Sequence, residues 1–346
     1  MHVEVASGAG FCFGVSRAIS AVEGLLAEGK LVCTLGPIIH NAYMVKKLAQ
    51  KGVRVVDCPE DVRPEKGEVL VIRSHGVARD VIEKIKKLNI MYLDATCPFV
   101  KKIHNIVSDT SRNADVILIA GDKSHPEVFG IAGHCADFYI FSDYEELLDI
   151  IKKNGEVLAR ANVLAVAQTT FSVSQWRRCA DFLRSKFEGV KIFHTICGAT
   201  ASRQDEACKL SKKADVMLVI GGRESSNTAK LFDICQKNCK SFFIETADDL
   251  RFDDIKKAKL IGITAGASTP VDIIEEVKRK MEDFLENNDD VGQNEGEEAS
   301  FEQMLEESLK SLTTDDKVVG TVVGIAPNEV YVDVGRKQAG FIPADE

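Results

Sequence analysis

Five short segments, Val69 to Ile72, Val116 to Ile119, Val163 to Val166, Val216 to Val219 and Leu260 to Ile263, consist of apolar residues and glycine with no polar alternation. A strand that is apolar on both sides must be covered on both sides, as in parallel sheets. Between these runs, Val15 to Glu28, Arg79 to Leu88, Trp176 to Phe187 and Val271 to Phe284 place their apolar residues at helical spacing. The alternation predicts an α/β fold, with mainly parallel sheets and crossover helices on both faces.

One segment is echoed. Ala114 to Gly121 (ADVILIAG) reappears as Ala214 to Gly221 (ADVMLVIG), one hundred residues later, which points to duplicated units. Three cysteines keep the same rhythm: Cys12 in Gly10 to Val15, Cys97 in Ala95 to Val100 and Cys197 in Thr195 to Thr200 each follow a strand-like segment and open a helix-like one. Three similar units could thus each offer one thiolate to a shared centre.

After about Asn287 the periodicity stops. Residues 281–316 hold thirteen acidic residues and one lysine, the composition of a solvated linker. Strand-like patterning returns at Val318 to Ile325, Glu329 to Gly335 and Ala339 to Pro343, which resemble the opening strands of the OB-fold RNA-binding domain of ribosomal protein S-one type. An OB-fold has five strands and about three fit here, so RNA binding would require a complete C-terminal OB domain.

The 346 residues are 45% apolar, but no apolar run approaches the roughly 20 residues of a membrane span. The N-terminus begins a strand-like alternation without the basic and apolar regions of a signal peptide, so a cytoplasmic location is expected. In that setting the ten cysteines stay reduced, most as buried apolar residues and some as metal ligands. The net charge of −9 resides in the acidic segment and leaves the first 280 residues mildly positive. Such a body suits a small anionic substrate, but is too weakly charged for a broad nucleic-acid surface.

Ligand sites of open α/β sheets lie beyond the carboxyl ends of strands. His40, His75 and His125 each sit there among turn residues. Singly, each reads as an ordinary surface or capping histidine; their recurrence in similar positions points to function. Ser225, Ser226 and Asn227 follow Gly221-Gly222 and open a helix, where hydroxyls and free N–H groups can cap the helix or grip a phosphate. Ser268, in Ala265 to Pro270, repeats the arrangement. The cysteines admit two readings, zinc with four ligands or an iron-sulfur cluster held by three, and spacing does not choose between them. Cys235 and Cys239, at helical i, i+4 spacing, read as core or surface residues.

Taken together, Gly10 to Val15, Arg73 to Gly76, Asp94 to Val100, Gln168 to Thr170, Thr195 to Cys197 and Thr264 to Ser268 resemble the 4-hydroxy-3-methylbut-2-enyl diphosphate reductase family over residues 1–282. The resemblance implies three pseudo-symmetric α/β units, approximately 14–96, 97–193 and 194–282 with the N-terminal segment joining the last, around a central 4Fe-4S cluster. An acidic linker (283–316) and a partial OB-fold tail (317–346) follow. It implies that Cys12, Cys97 and Cys197 hold the cluster, leaving one iron open to substrate. His40, His75, His125, Ser225, Ser226, Asn227 and Ser268 would hold the diphosphate. Glu127 would deliver a proton to the departing hydroxyl, with Thr169 positioning that group; taken without the resemblance, Glu127 reads as a solvated loop residue. The implied reaction reduces an allylic diphosphate to isopentenyl and dimethylallyl diphosphates, the last step of the non-mevalonate route. Ferredoxin or flavodoxin is the expected electron donor, because the chain has no nicotinamide fingerprint. Two rivals are a cluster-containing RNA-binding regulator, suggested by the tail, and a zinc-dependent hydrolase of phosphorylated substrates, suggested by the Cys and His content.

Overall fold

Aliphatic runs with no polar face fold where both faces can be covered, and here they form the inner strands of three separate four-stranded parallel sheets. The computed structural model describes residues 2–110, 116–288, 321–326, 329–333 and 340–343.

In chain order, β1 (His2–Val5) and α1 (Phe13–Ala27) lead into the first sheet. This comprises β2 (Val32–Leu35), α2 (Ala42–Gln50), β3 (Arg54–Val56), β4 (Val69–Ile72), α3 (Arg79–Lys87) and β5 (Tyr92–Asp94), and its strand order is β3-β2-β4-β5. After α4 (Pro98–Thr110), the second unit runs β6 (Val116–Ala120), α5 (Pro126–Ala132), β7 (Phe138–Phe141), α6 (Tyr144–Arg160), β8 (Val163–Ala167), α7 (Val173–Lys186) and β9 (Lys191–Ile192), with order β7-β6-β8-β9. The third opens with α8 (Gly198–Ser211) and continues through β10 (Val216–Ile220), α9 (Ser226–Cys235), β11 (Lys240–Ile244), β12 (Leu260–Ala265) and α10 (Val271–Asn288). Its fourth strand is β1, paired in parallel with β12, which gives the order β1-β12-β10-β11.

The three orders are one pattern. β2, β6 and β10 are equivalent, and β1 stands in the third sheet where β5 and β9 stand in the other two. The echo at 114–121 and 214–221 is the strand pair β6 and β10, and the α/β architecture expected from the sequence is the one observed.

Helices cover both faces of each sheet, so each unit splits its apolar residues between two clusters. In the second unit Val116, Leu118 and Ala120 pack with Trp176 and Leu183 on one face, while Ile117 and Ile119 pack with Ile103, Val128 and Ile131 on the other. Asn41, Asp143, Ser172 and Ser225 cap helix starts by accepting a backbone N–H three residues on.

α10 continues to Asn288, and the remainder of the expected linker, 289–316, lies outside the described residues. In the tail, β13 (Thr321–Ala326), β14 (Glu329–Asp333) and β15 (Gly340–Pro343) form a three-stranded antiparallel sheet in that order. No helix among the described residues is long and apolar enough to cross a membrane.

Leu118 lies fully buried on β6, which is flanked by strands on both sides. Leu118→Ala is expected to lower the unfolding free energy by about 3 kcal/mol, through lost transfer energy and a residual cavity. A urea titration reads this as a lower midpoint with little change in slope.

Candidate active site

All nine strands that feed the site do so from their carboxyl ends, because every pairing within the three sheets is parallel. The loops after β1, β5 and β9 carry Cys12, Cys97 and Cys197, those after β2, β6 and β10 carry His40, His125 and Ser225, and those after β4, β8 and β12 carry His75, Thr169 and Ser268. One pocket is lined by all of these, together with Glu127, Ser226 and Asn227. The twelve side chains singled out in the sequence, separated by up to 256 positions, therefore face a single cavity where the three units meet.

Backbone hydrogen bonds lock each cysteine loop to another loop of the rim. The N–H of Cys12 donates to the Ala267 carbonyl at 3.0 Å, that of Cys97 to Ser74 at 2.9 Å and that of Cys197 to Thr169 at 3.1 Å. Cys12 and Cys197 are the N-cap residues of α1 and α8, and Cys97 immediately precedes α4. Helix starts favour negative charge, so three helices direct the positive ends of their dipoles toward the thiols. A Cβ added at Gly14 would stand 2.6 Å from the Cys97 sulfur, so only glycine lets α1 approach the second thiol this closely.

Burial pushes the Cys197 thiol up to about 11 and raises that of Cys97 further, with the neighbouring cysteines adding to the rise at both. Three clustered thiolates need a cation to hold them. Among the described residues, the one group of His, Cys, Asp and Glu whose ligand atoms all converge within 4.8 Å is His40, His75 and His125. Three cysteines, one from each unit, in the lining of one pocket are a donor set that fits a cluster held by three thiolates.

The imidazole rings form a second group. Ring centroids lie 4.5 Å apart for His40 and His75, 5.0 Å for His40 and His125, and 5.3 Å for His75 and His125. Burial holds all three below the ordinary imidazole range, His125 at about 4, and the nearby Arg73 cation pushes in the same direction. At pH 7 they are neutral. The Nδ1 of His125 accepts the backbone N–H of Glu127 at 3.1 Å, which leaves its Nε2 as the donor. His40 Nε2, His75 Nδ1 and both side-chain amide atoms of Asn227 are buried with no hydrogen-bond partner among the described residues. Unsatisfied buried groups of this kind are costly, and several donors aimed into one cavity suit an anion rich in oxygen.

Glu127 lies on α5, two residues past the N-cap, the position that Asn227 holds on α9. It is 2% exposed, so the reading as a solvated loop residue is overturned by its burial against the loop after β8. Thr169 clamps it twice, donating its backbone N–H to Oε1 at 2.6 Å and its hydroxyl to Oε2 at 2.7 Å. Burial pushes the carboxyl up to about 7 even though both bonds from Thr169 oppose the rise. The group can therefore hold or release a proton near neutrality.

Sequence reasoning missed Thr200 and Arg203, which also line the pocket. The Thr200 hydroxyl stands 3.2 Å from the Cys197 sulfur and its N–H 3.3 Å away, a cap three residues on that the spacing could have disclosed. Arg203 had no such signal, because its partners are distant in sequence.

A protein-family model described as "LytB protein" matches residues 3–282. A 4-hydroxy-3-methylbut-2-enyl diphosphate reductase of Thermoanaerobacter sp. (strain X514) is 44% identical over 84% of this chain and 99% of its own. Among solved structures, one titled as (E)-4-hydroxy-3-methyl-but-2-enyl diphosphate reductase, the terminal enzyme of the non-mevalonate pathway, is 37% identical, with a TM-score of 0.60 over 82% of this chain and 100% of that one. The E-1-hydroxy-2-methyl-but-2-enyl-4-diphosphate reductase from Plasmodium falciparum gives a TM-score of 0.74 at 30% identity, over 88% and 98% of the two chains.

The Glu127 carboxyl carries a pH signature. Its folded value, about 7, lies above the ordinary glutamate value of 4.5, so its contribution to stability is complete below about 4.5 and is lost as the pH rises through about 7. Relative to Glu127→Gln, the unsubstituted protein should lose about 3 kcal/mol across that window, read from paired denaturation curves at several pH values. A constant difference between the two would place the carboxyl in water.

Proposed function

The chain belongs to the LytB protein family, and on that premise we propose that its central pocket performs the reductive dehydroxylation of (E)-4-hydroxy-3-methylbut-2-enyl diphosphate. The chain is a 4-hydroxy-3-methylbut-2-enyl diphosphate reductase, the oxidoreductase of the terminal step of the non-mevalonate pathway. Two electrons and two protons convert the substrate to isopentenyl or dimethylallyl diphosphate and release the hydroxyl as water. The observation that carries this reading is the meeting of three thiols, three neutral imidazoles and one carboxyl able to hold a proton in a single pocket.

Cys12, Cys97 and Cys197 would hold one 4Fe-4S cluster, which when bound supplies the electrons and an iron that acts as a Lewis acid toward the substrate's hydroxyl end. His40, His75 and His125 hold the diphosphate with Ser225, Ser226, Asn227 and Ser268. The buried N–H donors without partners support this role, since their cost is removed when phosphate oxygens accept from them. Ser225 and Ser226 also stand at the start of α9, whose free N–H groups favour an anion. Glu127 delivers a proton to the departing hydroxyl. Its carboxyl near 7 is matched to working pH, so it is available as an acid without being a weak one. Thr169, bonded to both carboxyl oxygens, fixes the direction of that proton and orients the hydroxyl.

In this reading residues 1–282 are the reductase body, in three units meeting at the cluster, and 283–316 are a linker. Ferredoxin or flavodoxin supplies the electrons. Ten free cysteines suit the reducing cytoplasm. The three antiparallel tail strands are the opening of an OB-fold, with RNA binding only through a complete domain.

Anaerobic purification tests the proposal directly. The protein should be brown, carry about four irons per chain and change its visible spectrum when the substrate is added, whereas Cys97→Ser should lose the band. A chain that stays colourless after reconstitution would sink the reading and favour the zinc hydrolase. Glu127→Gln should keep the cluster and substrate binding while turnover falls about 10²- to 10⁴-fold. Undiminished turnover in that variant would remove Glu127 from the mechanism.

A further inference from the structure

Arg203 is the cationic side chain in the lining of the pocket, and it is 3% exposed. It sits on α8, the helix that Cys197 caps, and reaches across to the loop of Cys12, where its Nε donates to the Gly8 carbonyl at 2.7 Å and its Nη2 to the Gly10 carbonyl at 2.8 Å. One side chain thus bridges the helix of the third thiol and the loop of the first. Among the described residues no carboxylate lies within 4.0 Å of its guanidinium. A buried cation with no carboxylate in contact is costly, and the pocket that it lines holds the three cysteines that the cluster reading makes anionic.

Two neighbours separate charge from mechanical anchoring. Glu206, one turn further along α8, fastens the same loop through the Ser7 N–H at 2.6 Å, the Ser7 hydroxyl at 2.7 Å and the Gly8 N–H at 2.9 Å, but does not line the pocket. Arg17 on α1 anchors the Cys97 loop through the Thr96 carbonyl at 3.1 Å, again from outside the lining. Both tie down cysteine loops; Arg203 does so with a buried positive charge facing the pocket.

We propose that Arg203 is a positioning residue that supplies the counter-charge to the cysteine-held cluster, securing the Cys12 loop and raising the cluster's reduction potential. This rests on the cluster reading above. A cation nearby stabilises the reduced, more negative state, so its removal lowers the potential.

The test is an anaerobic redox titration of the full-length, cluster-loaded protein, followed by visible absorption and electron paramagnetic resonance. Arg203→Gln keeps hydrogen-bonding capacity without the charge, Arg203→Lys keeps the charge, and Glu206→Asp and Arg17→Lys weaken the loop anchors with their charges kept. The expected result is a lower potential and several-fold faster iron loss to a chelator in Arg203→Gln, values closer to the parent in Arg203→Lys, and an unshifted potential in the other two. An unchanged potential in Arg203→Gln, or equal shifts in the Gln and Lys variants, would overturn the proposal. Should Arg203→Gln take up no iron, loading decides: uptake by Arg203→Lys supports a requirement for the cation, and failure of both overturns it. Absence of iron from the parent protein would instead refute the cluster reading.

Discussion

Three backbone hydrogen bonds, from Cys12 to Ala267, from Cys97 to Ser74 and from Cys197 to Thr169, hold the rim of the pocket together. Each couples the loop after an outer strand to the loop after an inner strand, so none of the thiols can move without disturbing a segment that also bears a site residue. Ser74 precedes His75, Ala267 precedes Ser268, and Thr169 itself clamps Glu127. A threefold ring of loops thereby sets the spacing of the three sulfurs, the imidazoles and the Glu127 carboxyl at once. Such preorganisation is what a reaction that cleaves a carbon–oxygen bond at one end of a diphosphate requires.

Burial performs several functions in this ring. It keeps His40, His75 and His125 neutral, so that they present N–H donors without mutual repulsion when no anion is present. It raises the Glu127 carboxyl until a proton is retained near neutrality. It also makes three adjacent thiolates untenable without a cation. One physical condition, exclusion of water from the junction of three sheets, thus gives three residue types chemical properties that none has at a surface.

Much of this was legible in the sequence because the inner strands β4, β6, β8, β10 and β12 are apolar throughout, and each ends in a loop with conspicuous chemistry. Apart from β1, whose alternation marks it, the outer strands were not: β3 is Arg-Val-Val, β9 is Lys-Ile and β5 is Tyr-Leu-Asp, short and partly exposed at sheet edges, where polar residues break the pattern. β2 is fully buried, yet Cys33 and Thr34 interrupt its aliphatic run. His40, His75 and His125 could be selected by their place beyond strands, but Glu127 needed a family resemblance, since its burial arises from a tertiary contact with Thr169. Arg203 escaped for the same reason, its partners Gly8 and Gly10 lying at the other end of the body.

The central claim is that this pocket removes a hydroxyl by reduction and leaves the diphosphate intact. The most direct measurement is mass-spectrometric product analysis after anaerobic incubation of the cluster-loaded protein with (E)-4-hydroxy-3-methylbut-2-enyl diphosphate and a quantified chemical reductant. The account predicts isopentenyl and dimethylallyl diphosphates, together equal to the substrate consumed, with two electrons taken up per molecule. Release of inorganic phosphate, or an unchanged substrate in the presence of a fully loaded and reduced cluster, would contradict it.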